Sequence, residues 1–204
     1  MTSPRISIGS GALVAAALLA CTMMGCGGGG STTTSVVTTF TPDTPPASGP
    51  YVYMQSGASS GSSIVIKIAV KNISAFFGAG FRINYDPTAL LCNSNYDAST
   101  SFLLTGVTSS DVEFLLDCTT TPGVAVVTAT RKDPTVAPPV DATDPASELI
   151  KLSFSSKEPI PPGSATGLLT FDDPKQVCNG DPAAYPLCGT VPSVSWIGGS
   201  IVSQ

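Results

Sequence analysis

Residues 63–72 read Ser63-Ile64-Val65-Ile66-Lys67-Ile68-Ala69-Val70-Lys71-Asn72, and this stretch decides the fold class. Ile64, Ile66, Ile68 and Val70 recur at every second residue, while Lys67 and Lys71 fall on the other parity. Successive side chains of an extended chain point to opposite sides, so a period of two marks a strand with one face in a core and one in water. The same alternation returns on either side. Phe81, Ile83 and Tyr85 alternate with Arg82 and Asn84, until Asp86-Pro87 ends the run because proline has no ladder donor. Residues 124–131 are small or β-branched, and residues 149–155 place Ile150, Leu152 and Phe154 on one face. Residues 165–171 and 193–202 complete the set, the last broken at Gly198-Gly199, with weaker runs at 51–55 and 113–116. One turn of helix is expected at 88–92, and nothing else beyond residue 50 has a 3.6-residue period. Eight or nine short strands joined by Gly, Pro and Asp turns predict an all-β sandwich.

The rest of the chain fits an exported protein. Only 11% of the 204 residues are charged, while Gly (20) and Pro (18) are abundant. Arg5 is followed by an apolar run at 6–20 and then by small residues, the order of a secretory leader, and the run is short for a spanning helix. Leu18-Leu19-Ala20-Cys21 and Met23-Met24-Gly25-Cys26 both resemble bacterial lipoboxes. Cys26 is the preferred lipidation site because a glycine run follows it directly; Cys21 is the alternative. Gly27 in place of Asp implies outer-membrane sorting in a Gram-negative cell, with plain secretion as the other outcome. Residues 27–50 are Gly, Ser, Thr and Pro with almost no charge, and are expected to form a tether. The expected organisation is therefore a leader at 1–26, a tether at 27–50 and one domain at 51–204. Without the leader, eight cations and fourteen acids remain, a net charge of −6. No basic stripe exists to track phosphates, so nucleic acid is not an expected partner, and membrane contact would come from the lipid alone.

Four cysteines fall in the domain: Cys92, Cys118, Cys178 and Cys188. An even number in an exported domain reads as two disulfides, with three connectivities open. Cys178–Cys188 is favoured because it closes a short loop of turn residues, which leaves Cys92 with Cys118.

The phrase Gly80-Phe81-Arg82-Ile83-Asn84-Tyr85-Asp86-Pro87-Thr88-Ala89-Leu90-Leu91 resembles the cohesin family, and other pieces follow in the family's order. Residues 65–72 look like the preceding strand and 148–154 like a later one. Residues 162–169 and Gly198-Gly199-Ser200-Ile201-Val202 are similar to the closing strands. The resemblance implies a nine-stranded sandwich with jelly-roll topology. It also implies a binding module for dockerins, which carry calcium in paired EF-hand-like loops. Two disulfides and a solitary domain on a lipoprotein tether depart from scaffold cohesins. If the family's binding face is kept, the partner-binding candidates are Arg82, Asn84, Tyr96, Asp97 and Glu113.

The chemistry of a catalyst is missing. The chain contains no His, which removes Ser-His-Asp and Cys-His systems and the commonest zinc ligand. No phosphate-cradling loop or H-E-x-x-H occurs, and no pair among the fourteen acids stands out. The protein is read as a non-enzyme. No cofactor is expected; calcium is the one ion that the acidic loops would suit, at Asp141, Asp144 and Glu148 or at Asp172, Asp173 and Asp181. Trp196 alternates with Val194 and is read as core, whereas Tyr51, Tyr53 and Tyr185 are candidates for stacking on sugars. The favoured function is an envelope-displayed protein–protein adaptor. A polysaccharide-binding module is the alternative, and a structural cell-surface protein the second.

Overall fold

The computed structural model describes residues 38–143, 147–180 and 189–203. Among them lie thirteen strands in two sheets, joined by loops and three short 3-10 turns. The strands are β1 (Thr38–Pro42), β2 (Tyr51–Ser56), β3 (Ser63–Lys71), β4 (Ile73–Asn84), β5 (Leu90–Asp97), β6 (Val112–Asp117), β7 (Val124–Arg131), β8 (Val140–Ala142), β9 (Ser147–Ser156), β10 (Leu168–Asn179), β11 (Gly189–Thr190), β12 (Ser195–Ile197) and β13 (Gly199–Ser203). The larger sheet runs β1-β13-β10-β4-β7-β6, with β11 paired to β10 and β8 to β4; the smaller runs β12-β2-β3-β9-β5. Every pairing is antiparallel except β12 with β2. Among the described residues no helix is long and apolar enough to cross a membrane.

The core is what the alternation predicts. Ile64, Ile66, Ile68 and Val70 of β3 are buried, and they meet Phe81 and Ile83 of β4, Ala125, Val127 and Ala129 of β7, and Ile150, Leu152 and Phe154 of β9 in one cluster. Full burial of each large apolar side chain contributes about 1.5–3 kcal/mol before entropy is counted. Trp196, half-buried, packs on this cluster with its ring 5.1 Å from Phe171 and 5.7 Å from Phe81.

One charge is buried with it. Arg131, at the end of β7, is 1% exposed. Its Nε donates to the Leu103 carbonyl at 3.0 Å, and its two terminal nitrogens donate to the carbonyls of Thr105 (2.6 Å) and Pro138. Backbone carbonyls of two loops thus replace the water that a guanidinium would otherwise keep. Burial still pulls its pKa below the ordinary arginine value.

On one side the two sheets are tied covalently. Cys92 of β5 is bonded to Cys118, the residue after β6, as the cysteine pattern predicts. The phenol of Tyr96 donates to the Phe114 carbonyl at 3.2 Å and its ring lies 6.3 Å from that of Phe114, which closes the same seam. The second expected bridge requires Cys188, which lies outside the described residues, as do Cys21 and Cys26 of the lipobox readings.

The structure corrects several boundaries. Residues 38–42, expected in the tether, form β1 and pair with β13 from Thr38↔Ser203 to Pro42↔Gly199. Phe40 is their anchor at 3% exposure, a single apolar residue in a Thr-rich stretch that periodicity does not register. Residues 43–50 also pack on the domain: the Asp43 amide donates to the Gly198 carbonyl at 3.0 Å, and Asn72 donates to the Gly49 carbonyl at 3.0 Å. The helical turn expected at 88–92 is only a tight turn, capped by the Asp86 carboxylate accepting from Thr88, and the chain is extended from Leu90. Residues 165–167 are a 3-10 turn capped by Ser164, so the strand expected from 165 starts at Leu168. The strand count rises above nine because β1, β5, β8 and β11 lack clear alternation and because Gly198 separates β12 from β13.

Candidate docking face

The outer face of the larger sheet is read directly from its register. Gly78 to Asn84 of β4 pair without interruption with Thr130 to Val124 of β7, and β6 pairs with β7 from Val112↔Arg131 to Asp117↔Val126. Outward side chains therefore fall in rows across the strands. One row is Leu115, Thr128, Gly80 and Gln176; the next is Asp117, Val126, Arg82 and Asp172. The centre is low because it has glycines. At Gly78 a Cβ would sit 2.4 Å from Thr130 Oγ1, so the threonine occupies that space; at Gly80 the nearest atom is 4.0 Å away. A recess of about 400 Å³ results, lined by Gly80, Arg82, Val126, Thr128, Pro174 and Gln176. Leu115, 49% exposed, is an apolar side chain on the same face.

The rim is polar and tied down. Asn84 Nδ2 donates to Asp172 Oδ2 at 3.0 Å, and this bond is the main reason the Asp172 carboxyl lies below its usual pKa. Arg82 reaches the Asp173 carbonyl at 3.5 Å, and Lys175 pairs with the Asp173 carboxylate at 3.4 Å. Of the five partner-binding candidates, Arg82 and Asn84 share this face and Glu113 lies at its β6 edge, opposite Thr130. Tyr96 belongs to the seam beside Phe114. Asp97 lies on the smaller sheet, where its carboxylate meets Lys151 Nζ at 3.0 Å. The five candidates thus do not form one surface. Leu115, Val126 and Thr128, which do belong to this face, were legible as the outward parity of the runs at 113–116 and 124–131.

The acidic positions weighed for calcium have other partners. Asp141 accepts from the Ala75 amide at 2.8 Å, where the backbone takes a positive φ of 50°. Glu148 meets Lys151 at 3.3 Å and Lys67 at 3.8 Å. Asp144 and Asp181 lie outside the described residues, and among the described residues no three potential ligands come together. Tyr51 and Tyr53 are 5% and 7% exposed, with rings 5.1 Å apart in a small cluster with Ala69, so neither offers a free stacking plane. Tyr185 lies outside the described residues.

Comparison with known proteins agrees with this architecture. The family model of the Cohesin domain matches residues 53–173. The second type II cohesin module of the adaptor scaffoldin of Acetivibrio cellulolyticus superposes with a TM-score of 0.57 at 17% identity, covering 77% of this chain and 91% of that one. A type II cohesin–X-dockerin complex from the same organism gives 0.53 at 15%, covering 76% and 98%. A type II cohesin of Bacteroides cellulosolvens gives 0.52 at 16%, covering 75% and 97%. No curated protein sequence matches the chain. With a family match over more than half its length and a sandwich of the same architecture, the chain belongs to the cohesin-domain family.

Proposed function

We propose that this protein is a non-catalytic adaptor, exported and held at the cell envelope by a lipid on Cys26 (Cys21 in the alternative reading), which docks a dockerin-type protein on the outer face of the larger sheet. The observation that carries the reading is the β6-β7-β4 surface, uninterrupted in register, with β10 along its side, where the pairing shifts between Asp172 and Gln176. It has a glycine-floored recess, the exposed Leu115 and a polar rim fixed by Asn84–Asp172. A broad regular surface with an apolar centre and a polar margin suits a protein partner better than a small ligand. The solved relative in a cohesin–X-dockerin complex supports the partner class.

The test is capture by an immobilised, oxidised soluble form beginning at Ser31, which retains β1. Envelope extract is passed over it in calcium or in EDTA, and the retained proteins are identified by mass spectrometry. The expected result is a protein with paired EF-hand-like loops, held in calcium, released by EDTA, and lost on Thr128→Trp, which fills the recess from an outward position. No such protein, or equal capture by Thr128→Trp in its folded state, would overturn the assignment of this face.

A further inference from the structure

We propose a second binding site, for a neutral polysaccharide, in a recess on the outer face of the smaller sheet. The recess has a volume of about 540 Å³ and is lined by Val65, Lys67, Asn95, Tyr96, Lys151 and Ser153. It is built by two interruptions of the ladder. In β9 the register slips between Ile68↔Ile150 and Ala69↔Glu148, so Leu149 is the extra residue. Leu149 and Ile150 are both fully buried, and Glu148 is turned outward onto Lys67 and Lys151 instead of into the core. In β5 the register slips between Cys92↔Phe154 and Tyr96↔Leu152, with Ser94 at a positive φ of 54°. That slip leaves Asn93 donating to Ser153 (2.9 Å) and Ser155 (3.1 Å), and Asn95 on the wall of the recess. Bulges re-aim side chains, and here both do so toward one place.

The polar groups so collected hold one another. Lys151 Nζ meets Asp97 at 3.0 Å, Glu148 at 3.3 Å and Thr100 Oγ1 at 3.0 Å, and Thr100 in turn donates to Glu148. Two cations and two carboxylates cancel, so the recess offers oriented donors and acceptors without net charge. That balance gives a polyanion no electrostatic attraction and suits a ligand with many uncharged hydroxyls, each able to donate and to accept. The apolar part of the lining, Val65 and the half-exposed ring of Tyr96, suits the C–H face of a sugar ring. The site lies on the opposite sheet from the proposed docking face and does not depend on it.

Native gels cast with hydroxyethylcellulose, galactomannan or polygalacturonate test this with the soluble oxidised chain. Retardation is expected in a neutral gel, unchanged by high salt, and lost for Ser153→Tyr, which fills the recess from an outward position of β9. If that variant melts early, the exposed Asn95→Ala takes its place and is expected to weaken retardation. Amide shifts on adding cellohexaose or mannohexaose are expected at residues 65–67, 95–97 and 151–153. Retardation only by polygalacturonate and abolished by salt, retention by a folded Ser153→Tyr, shifts confined to β4 and β7, or no response to any neutral glycan would each overturn the proposal.

Discussion

The two outer faces of this sandwich are made of the same secondary structure and differ in where the ladder is interrupted: on the larger sheet beside the face, in β10 between Asp172 and Gln176, and on the smaller sheet in the two strands that build the recess. On the larger sheet β4 and β7 stay in register from Gly78↔Thr130 to Asn84↔Val124, and the outward residues form even rows over a low glycine centre. On the smaller sheet, β5 and β9 each carry a bulge, and the outward residues gather into a charge-paired cluster around Lys151. An unbroken ladder spreads side chains over a broad surface, whereas bulges bring groups from three strands to one point. The first suits a partner that is itself a surface, the second a ligand of few atoms with many hydrogen bonds.

The largest effect expected in testing this contrast comes from beneath the larger sheet. Arg131 holds the carbonyls of Leu103, Thr105 and Pro138 from the inner side of β7. Arg131→Met leaves those carbonyls buried and unpaired, and a loss of about 3–5 kcal/mol is expected in urea unfolding. Partner capture at the larger sheet should weaken in parallel, while glycan retardation persists in the fraction that stays folded. The Cys92–Cys118 bond joins the two regions rather than serving either one. Cys92→Ala with Cys118→Ala should lower unfolding free energy by about 3 kcal/mol through the freed loop of 26 residues. Amide exchange should then quicken in both β5 and β6. If it quickens in β5 alone, the bond supports the smaller sheet only.

The glycines separate floor from packing within the larger sheet. At Gly78 a methyl group collides with Thr130, and Gly78→Ala should cost about 1–3 kcal/mol. At Gly80 the space is open, and Gly80→Ala should stay within about 0.5 kcal/mol. Equal melting temperatures for the two would show that the floor relaxes freely, and the contrast between a rigid even face and a bulged one would weaken.

What was legible in the sequence follows the same division. Ile64 to Val70, Phe81 to Ile83 and Ile150 to Phe154 alternate strictly, and all of them lie in the core where alternation puts them. The outward parity of Arg82 and Asn84 was equally readable, and the β6-β7-β4 pairing brings Glu113 to the same sheet. Bulges defeat that reasoning. Strict alternation from Ile150 points Glu148 inward, and nothing local in Ser147-Glu148-Leu149-Ile150 signals the extra residue; it is set by pairing with β3. Tyr96 and Asp97 follow an Asn93-Ser94-Asn95 run with no apolar period, so neither their strand nor their face could be assigned. β1 was hidden for a different reason: a Thr-rich segment with one apolar residue reads as linker until a free sheet edge gives its backbone somewhere to bond.

The smallest effect is the most selective for the bulged face. Asp97 titrates at about 2 in place of 3.8, first because the Ser99 hydroxyl donates to it, then the Ser99 amide, then Lys151. A carboxyl with a depressed folded-state pKa contributes stability that is complete above its unfolded value and disappears as pH falls through the folded one. Its contribution is therefore present above about pH 4 and lost between there and about pH 2. Its side chain is 49% exposed, so solvent screening leaves about 0.5 kcal/mol. Asp97→Asn should flatten the urea midpoint slightly over that window. Asp117, on the larger sheet and held low mainly by the Thr120 hydroxyl, has no cation among its causes. Asp117→Asn should change the acid limb of stability without altering the Lys151 cluster. If glycan retardation of the native chain weakens as pH falls toward about 2, in step with Asp97 protonation in the folded state, and is indifferent to Asp117→Asn, the charge pair orients the recess. A retardation that is flat across that range would leave the bulges as the whole of its architecture.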